Sequence, residues 1–332
     1  MRRLLLIGAL AALIAPMGAP PPSAGALPGP CSAAVAAIGY SDALDKQSRH
    51  GERLGGLSAL AHDPRGRRYL ALPDHVAATA LIWPLTGLDD LPALRPRVAA
   101  PPIRLTDRGG RPVPGRADHE GLAVLSDGSV VVSSERGPTV TVYGRDGRWR
   151  DDLRVPPRYS AGAEANGSFE GLAATPSGRR LLVAMERPLR GEDPRLRRII
   201  DYRPGPDGRL RPVGELAYRV RPGMRIAEIA AYDEDRLLVL ETAYRRDRGS
   251  SAVLTAARIV GRRVLRTPVA DLAACPTLGA PSREVQRNPL LDNYEGMTVS
   301  RRGVGHVIHL VSDDNYSPRQ TTRVLTLWAR LP

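Results

Sequence analysis

One pattern recurs along the chain. A carboxylate, usually followed by glycine, opens a short apolar strand; a turn follows, and a second apolar strand ends in another carboxylate. The clearest copy spans 168–186, with Glu170-Gly171-Leu172 at one end and Met185-Glu186 at the other. The segment reads as a β-hairpin around a Pro-Ser-Gly turn. Near copies lie at 118–135 (Glu120, Glu135) and 293–314 (Glu295, Asp313, Asp314), and a looser one at 225–241 (Glu228, Glu241). A further skeleton at 54–74 carries Gly55 where the others carry Glu, and ends in Asp74. Repeats of several tens of residues that read as strands imply a propeller or solenoid.

Strand-like segments fill out these hairpins into sets of four. The first set uses strands near Leu57 and Leu70, with 80–84 and 103–106. The second uses 122–125, 130–133, 139–143 and 153–155. The third uses 172–175, 181–185, 198–202 and 215–220. The fourth uses 229–232, 237–240, 253–260 and 264–268. The fifth uses 297–300, 307–311 and 323–329, and lacks a fourth strand of its own. A strand near 34–40 can supply it and close the ring without an open edge. The expected fold is therefore all-β: a β-propeller of four-stranded blades, five by repeat count. Six follow if 88–104 and 267–293 hide strands. No convincing helix is expected after the first 26 residues.

In such a fold the first strand of each repeat lines a central channel. Glu120, Glu170, Glu228 and Glu295 should then converge at one mouth, joined by Glu135, Glu186, Glu241, Asp313 and Asp314 from the second strands, with Asp74 from the first repeat. Crowded carboxylates must take protons, accept hydrogen bonds or bind a cation. Ca²⁺ suits them, since it takes six to eight oxygen ligands at flexible angles. The alternative is that each Glu latches one blade to the next through backbone N–H groups or a nearby arginine such as Arg136, Arg187 or Arg225. No Gly-x-Ser-x-Gly elbow supports a serine hydrolase. The histidines show no zinc spacing: His306 and His309 sit on opposite faces of one strand, and only His119 falls near the mouth.

Net charge is +13, nearly all from arginine, since Lys46 is the sole lysine. The arginines are scattered, which reads as a solvated surface, and no nucleic-acid motif is present. At the N-terminus, Arg2-Arg3, an apolar run over 4–14 and Ala24-Gly25-Ala26 read as a secretory signal peptide over 1–26. A lead-in with the closing strand occupies 27–50 and the propeller domain 51–332. Export makes a Cys31–Cys275 disulfide plausible, because ring closure returns the N-terminal segment to the last repeat. A soluble periplasmic or extracellular monomer is expected, without a stable membrane anchor.

The chain resembles the bacterial phytase-like proteins described as having esterase-like activity. The resemblance rests on Gly55-Gly56-Leu57-Ser58, Glu120-Gly121-Leu122-Ala123 with Ser134-Glu135-Arg136-Gly137-Pro138, and 166–172. It continues through Met185-Glu186-Arg187-Pro188-Leu189, Asn293-Tyr294-Glu295-Gly296-Met297 and Ser312-Asp313-Asp314-Asn315-Tyr316 with Gln320-Thr321. Pro73, where Ser is usual before Asp74, and the missing Gly after Glu228 depart from that pattern. The resemblance implies a β-propeller distantly similar to calcium-dependent phytases. It suggests a metal-dependent hydrolase of phosphate or carboxylic esters, with Glu120, Glu170 and Glu295 at its centre and Arg136 and Arg187 clamping a small anionic or ester substrate. A non-catalytic propeller that binds a ligand or envelope partner is the other reading.

Overall fold

The computed structural model describes residues 29–74, 78–91, 93–164 and 166–332. The signal segment expected over 1–26, and His75, lie outside them. Short runs of Val, Leu, Ile and Ala between Gly, Pro and Asp turns give an all-β chain. Its strands are β1 (Val35–Ser41), β2 (Ser48–Arg49), β3 (Glu52–Arg53), β4 (Leu57–Asp63), β5 (Arg68–Pro73), β6 (Leu81–Thr86), β7 (Arg97–Val98) and β8 (Ile103–Arg104). There follow β9 (His119–Val124), β10 (Val130–Ser134), β11 (Thr139–Tyr143), β12 (Trp149–Asp152), β13 (Phe169–Ala174), β14 (Leu181–Met185), β15 (Leu196–Pro204) and β16 (Leu210–Arg219). The last are β17 (Arg225–Ala231), β18 (Arg236–Arg245), β19 (Gly249–Val260), β20 (Arg263–Asp271), β21 (Tyr294–Arg302), β22 (Gly305–Ser312) and β23 (Val324–Ala329). Among the described residues, helix is confined to one short α-helix, α1 (Pro157–Gly162), and two single 3₁₀ turns.

Each repeat forms an antiparallel meander. The sheets run β4-β5-β6-β7, with β8 also on β6, and β9-β10-β11-β12. β13–β16 and β17–β20 are two such meanders, fused into one eight-stranded sheet by a single parallel pairing, Ala217 with Arg263. The closing sheet is β21-β22-β23-β1. The N-terminal strand does fill the last place: β1 pairs antiparallel with β23, from Val35 opposite Ala329 to Ser41 opposite Val324. The outer strand of the second sheet is Trp149–Asp152, displaced from the expected 153–155. Asp152 rather than Leu153 pairs with Thr141, and Leu153 instead packs inward.

The first strands β4, β9, β13, β17 and β21 touch in succession, and β21 returns to β4. Apolar side chains fill the wedges between neighbouring sheets. Leu57, Tyr69 and Trp83 meet Val311 and Val324, while Leu70 and Ile82 meet Leu122 and Val132. With few aromatics available, these wedges rest on aliphatic interdigitation; Phe169, the one phenylalanine, is fully buried in such a wedge. Cys31 and Cys275 are disulfide-bonded, tying the segment before β1 to the linker before β21. Among the described residues no helix is long and apolar enough to cross a membrane.

Candidate functional site

Every first strand carries the same irregularity. Between Phe169, opposite Met185, and Leu172, opposite Val183, two residues face one. The same slip occurs at 119–122, 226–228, 294–296 and 57–59. Such a bulge re-aims its extra residue out of the sheet's alternation. Register assigns that extra position to Ser58, Glu120, Glu170, Ala227 and Glu295. Two residues earlier stand Gly56, Asp118, Ser168, Arg225 and Asn293. Four of these carbonyls accept the N–H of Asp74, Glu135, Glu186 and Asp313 in turn. The fifth, Arg225, is paired with Thr242.

The glutamates thus lie within their strands, at the bulge, rather than just before them. The following glycine is required by close approach. A Cβ on Gly121 would sit 2.4 Å from the Glu170 carbonyl oxygen, and one on Gly296 would sit 2.8 Å from Ala59 of the neighbouring strand.

The structure brings Glu120, Glu135, Glu170, Glu186, Glu295, Asp313 and Asp74 together at one end of the inner strands. Ligand-capable oxygens of Glu135, Glu170 and Glu186 lie within 4.8 Å of one another. Glu170 is 5% exposed, and its Oε2 is buried with no hydrogen-bond partner. Burial raises the Glu170 pKa well above the usual carboxylate range, and the Glu186 charge adds to it. Burial and the charges of Glu170 and Glu295 do the same to Glu120; burial and Glu295 do so to Asp313. Glu135 is pushed up to about 7 by burial, although its Oε1 accepts the Ser168 N–H at 2.6 Å.

The fourth repeat brings no carboxylate to this ring. It brings a cation. Arg225 Nη1 donates to Glu186 at 2.6 Å and lies 3.5 Å from Glu170; its Nη2 donates to Glu295 at 2.8 Å. Its Nε reaches Thr242 Oγ1 at 3.2 Å. The sequence signal for Arg225 is its place in the repeat, two residues before the bulge. Matching repeats by their glutamates concealed it.

Other expected members stand elsewhere. Glu228 occupies the glycine position of its repeat. Its Oε1 accepts the N–H of Leu172 on the neighbouring inner strand at 2.8 Å and that of Ile229 at 2.9 Å, so it is a latch between sheets. Burial raises its pKa well above normal. Glu241 is 0% exposed and serves four donors: the Tyr218 and Thr255 hydroxyls, Arg266 and the Arg221 N–H. Asp314 holds the Gly56 N–H and Lys46, anchoring the N-terminal segment. Arg136 is exposed and lies 3.8 Å from Asp118, whereas Arg187 stands at the rim 3.2 Å from Glu186. The first repeat contributes Ser58 at the bulge, not Gly55. His119 fills the buried position held by Phe169 in the third repeat, and burial lowers its pKa to about 4.

Replacing Glu228 with Ala should destabilise the protein by about 1–3 kcal/mol, because the Leu172 N–H loses its acceptor. It should leave any cation-induced rise in melting temperature intact. A loss of that rise in E228A would return Glu228 to the ring.

The opposite end of the inner strands opens on a cavity of about 320 Å³ lined by Leu60, Leu122, Leu172, Ile229 and Met297. It contains none of the ring carboxylates. At the ring, the side chains of Arg187 and Arg225 are 51% and 30% exposed.

No curated protein sequence matches the chain. Among solved structures it overlaps a gluconolactonase from Xanthomonas campestris at 17% identity, over 93% of this chain and 98% of that one, with a TM-score of 0.39. It overlaps a PQQ-bound aldose sugar dehydrogenase from Streptomyces coelicolor at 13% identity, over 90% and 99%, with a TM-score of 0.40. The extracellular domain of a hybrid two component system from B. thetaiotaomicron matches at 12% identity over 84% of this chain, which spans only 28% of that one, with a TM-score of 0.38. Overlaps this loose transfer no activity. A family model matches residues 52–316, most of the chain, and by that match the protein belongs to the Phytase-like family, described as "Esterase-like activity of phytase".

Proposed function

We propose that the chain is an exported five-bladed β-propeller that hydrolyses phosphate or carboxylic esters with the help of a divalent cation, Ca²⁺ first among candidates. The observation that carries this reading is the buried, unpartnered Oε2 of Glu170, on a carboxylate grouped with those of Glu135 and Glu186. A buried carboxylate oxygen without a hydrogen bond makes the ionised form costly, and a hard cation is the economical remedy. Family membership supports the ester chemistry, and the disulfide agrees with an oxidising compartment.

Glu120, Glu135, Glu170 and Asp313, with Asp74, would hold the ion. When bound it would supply positive charge for the oxygens of an ester anion. Arg187, half exposed on the rim, orients an incoming anionic group. A ring carboxylate left uncoordinated accepts the proton of the attacking water.

The test is a panel of aryl phosphates and short-chain carboxylic esters assayed with Ca²⁺, with EGTA and with E170Q. Turnover that disappears with chelation and in E170Q supports the proposal. No turnover, with Ca²⁺ still raising the melting temperature, favours a non-catalytic propeller whose ion is structural. The tight burial of the ring and the Glu228 latch speak for that second reading.

A further inference from the structure

We propose that Arg225 is a resident cation that occupies half of the carboxylate ring and limits how many divalent ions the ring can take. This rests on the metal-site reading above and adds to it the residue that sets stoichiometry and affinity.

Position in the repeat is the first argument. Four repeats place Gly56, Asp118, Ser168 and Asn293 two residues before the bulge, none of them cationic. Only the fourth places a guanidinium there. The same repeat has Ala227 where three others have glutamate, and Thr242 where the others have Asp74, Glu135, Glu186 and Asp313. Charge is therefore exchanged within one repeat: two acids are absent and one base is present.

Geometry is the second argument. The guanidinium bridges the third and fifth repeats, donating to Glu186 at 2.6 Å and Glu295 at 2.8 Å, with Glu170 at 3.5 Å. A guanidinium hydrogen-bonded to two carboxylates keeps its charge. A divalent ion held by Glu170, Glu186 and Glu295 would have to stand where the guanidinium stands, or beside it against its charge. Glu170 Oε2 has no hydrogen-bond partner, and Glu170 also has an oxygen within 4.8 Å of Glu135, a carboxylate that Arg225 does not bond. The ring is thus divided. One half is filled by a fixed monovalent cation, and the other is open to an exchangeable one.

It follows that removing the guanidinium should create binding capacity. Calcium titration calorimetry on the full chain, compared with R225Q and R225K, tests this. R225Q should bind a second Ca²⁺, or bind the first at least about tenfold more tightly, since a unit charge a few ångströms away in protein surroundings is worth several kcal/mol. R225K, which keeps the cation, should retain wild-type stoichiometry. R225Q without metal will be the least stable of the three, so its melting is followed in parallel: Ca²⁺ should raise its melting temperature further than it raises the wild type's.

If the wild type binds Ca²⁺ and R225Q binds no more and no tighter, the role given to Arg225 is wrong and the metal-site reading stands. If the wild type binds none and R225Q binds, Arg225 already satisfies the ring and the calcium reading of the native protein fails. Binding by neither overturns both.

Discussion

Saturating Ca²⁺ should raise the melting temperature of the wild-type protein by about 4–6 °C. A ligand that binds only the native state stabilises it by about 2.7 kcal/mol at a hundred times Kd and about 4.1 at a thousand times, and each kcal/mol moves a domain of this size by about 1.5 °C. The effect should be large here because the ring carboxylates are already placed by the backbone. Four of them hang on the same N–H to carbonyl closure of their hairpins, at Asp74, Glu135, Glu186 and Asp313. Glu170 and Glu295 come from the bulges of their own repeats, the third and the fifth. The double variant E170Q/E295Q should lose most of the calcium increment.

The single variants should differ from one another, which separates the metal effect from simple damage. E170Q removes a buried like charge, so without metal and above neutral pH it should melt no lower than wild type. E295Q removes a partner of Arg225 and should melt lower. A calcium-insensitive wild-type melting curve would sink the metal site, leaving the ring as an electrostatic clasp around Arg225.

Without metal, stability should fall as pH rises from about 5 to 8. In the unfolded chain these carboxylates ionise near pH 4. In the folded chain Asp292 is raised to about 6 and Glu135 to about 7, both chiefly by burial, and Glu120, Glu170, Glu228 and Asp313 are raised well above the ordinary range. The native state therefore holds more protons than the unfolded state across this window, and linkage makes stability decrease with pH. The contribution of each group is complete below its unfolded pKa and lost as pH passes through its folded pKa. For a fully buried carboxyl, a tenfold gain in proton affinity on folding is worth about 1.4 kcal/mol. His119 opposes the trend, because its lowered pKa of about 4 makes stability rise with pH up to its unfolded value near 6.5, but it is one group against several.

Saturating Ca²⁺ should flatten or reverse the slope, since the ion favours the ionised ring. Melting curves at three pH values, in EDTA and in Ca²⁺, decide the matter. A flat profile in EDTA would mean that Arg225 and backbone donors alone keep the carboxylates ionised.

The repeat, the all-β class and the closing strand were legible in the sequence, because each is a local or periodic property. Apolar runs between turn residues specify strands whatever surrounds them. A fifth repeat one strand short left β1 the natural partner for β23, and Cys31 and Cys275 followed from the same closure. The presence of an acidic end was legible too, from the glutamates that open the first strands and the acids that close the second.

Membership of that acidic ring was decided only by the tertiary structure. Side chains alternate along a strand, so a bulge of one residue changes which of them faces the ring. Matching Glu228 to Glu170 by identity misses that slip; register instead puts Ala227 at the bulge and sends Glu228 to latch Leu172. Glu241 is lost to the ring for the same reason, standing opposite Ile226 one pair short of Thr242. Asp314 is taken by Lys46 and Gly56, partners more than 250 positions away in sequence. Arg225 could be seen as basic from sequence. That it reaches Glu186 and Glu295, on either side of its own repeat, depends on the closing of the ring, which no local pattern encodes.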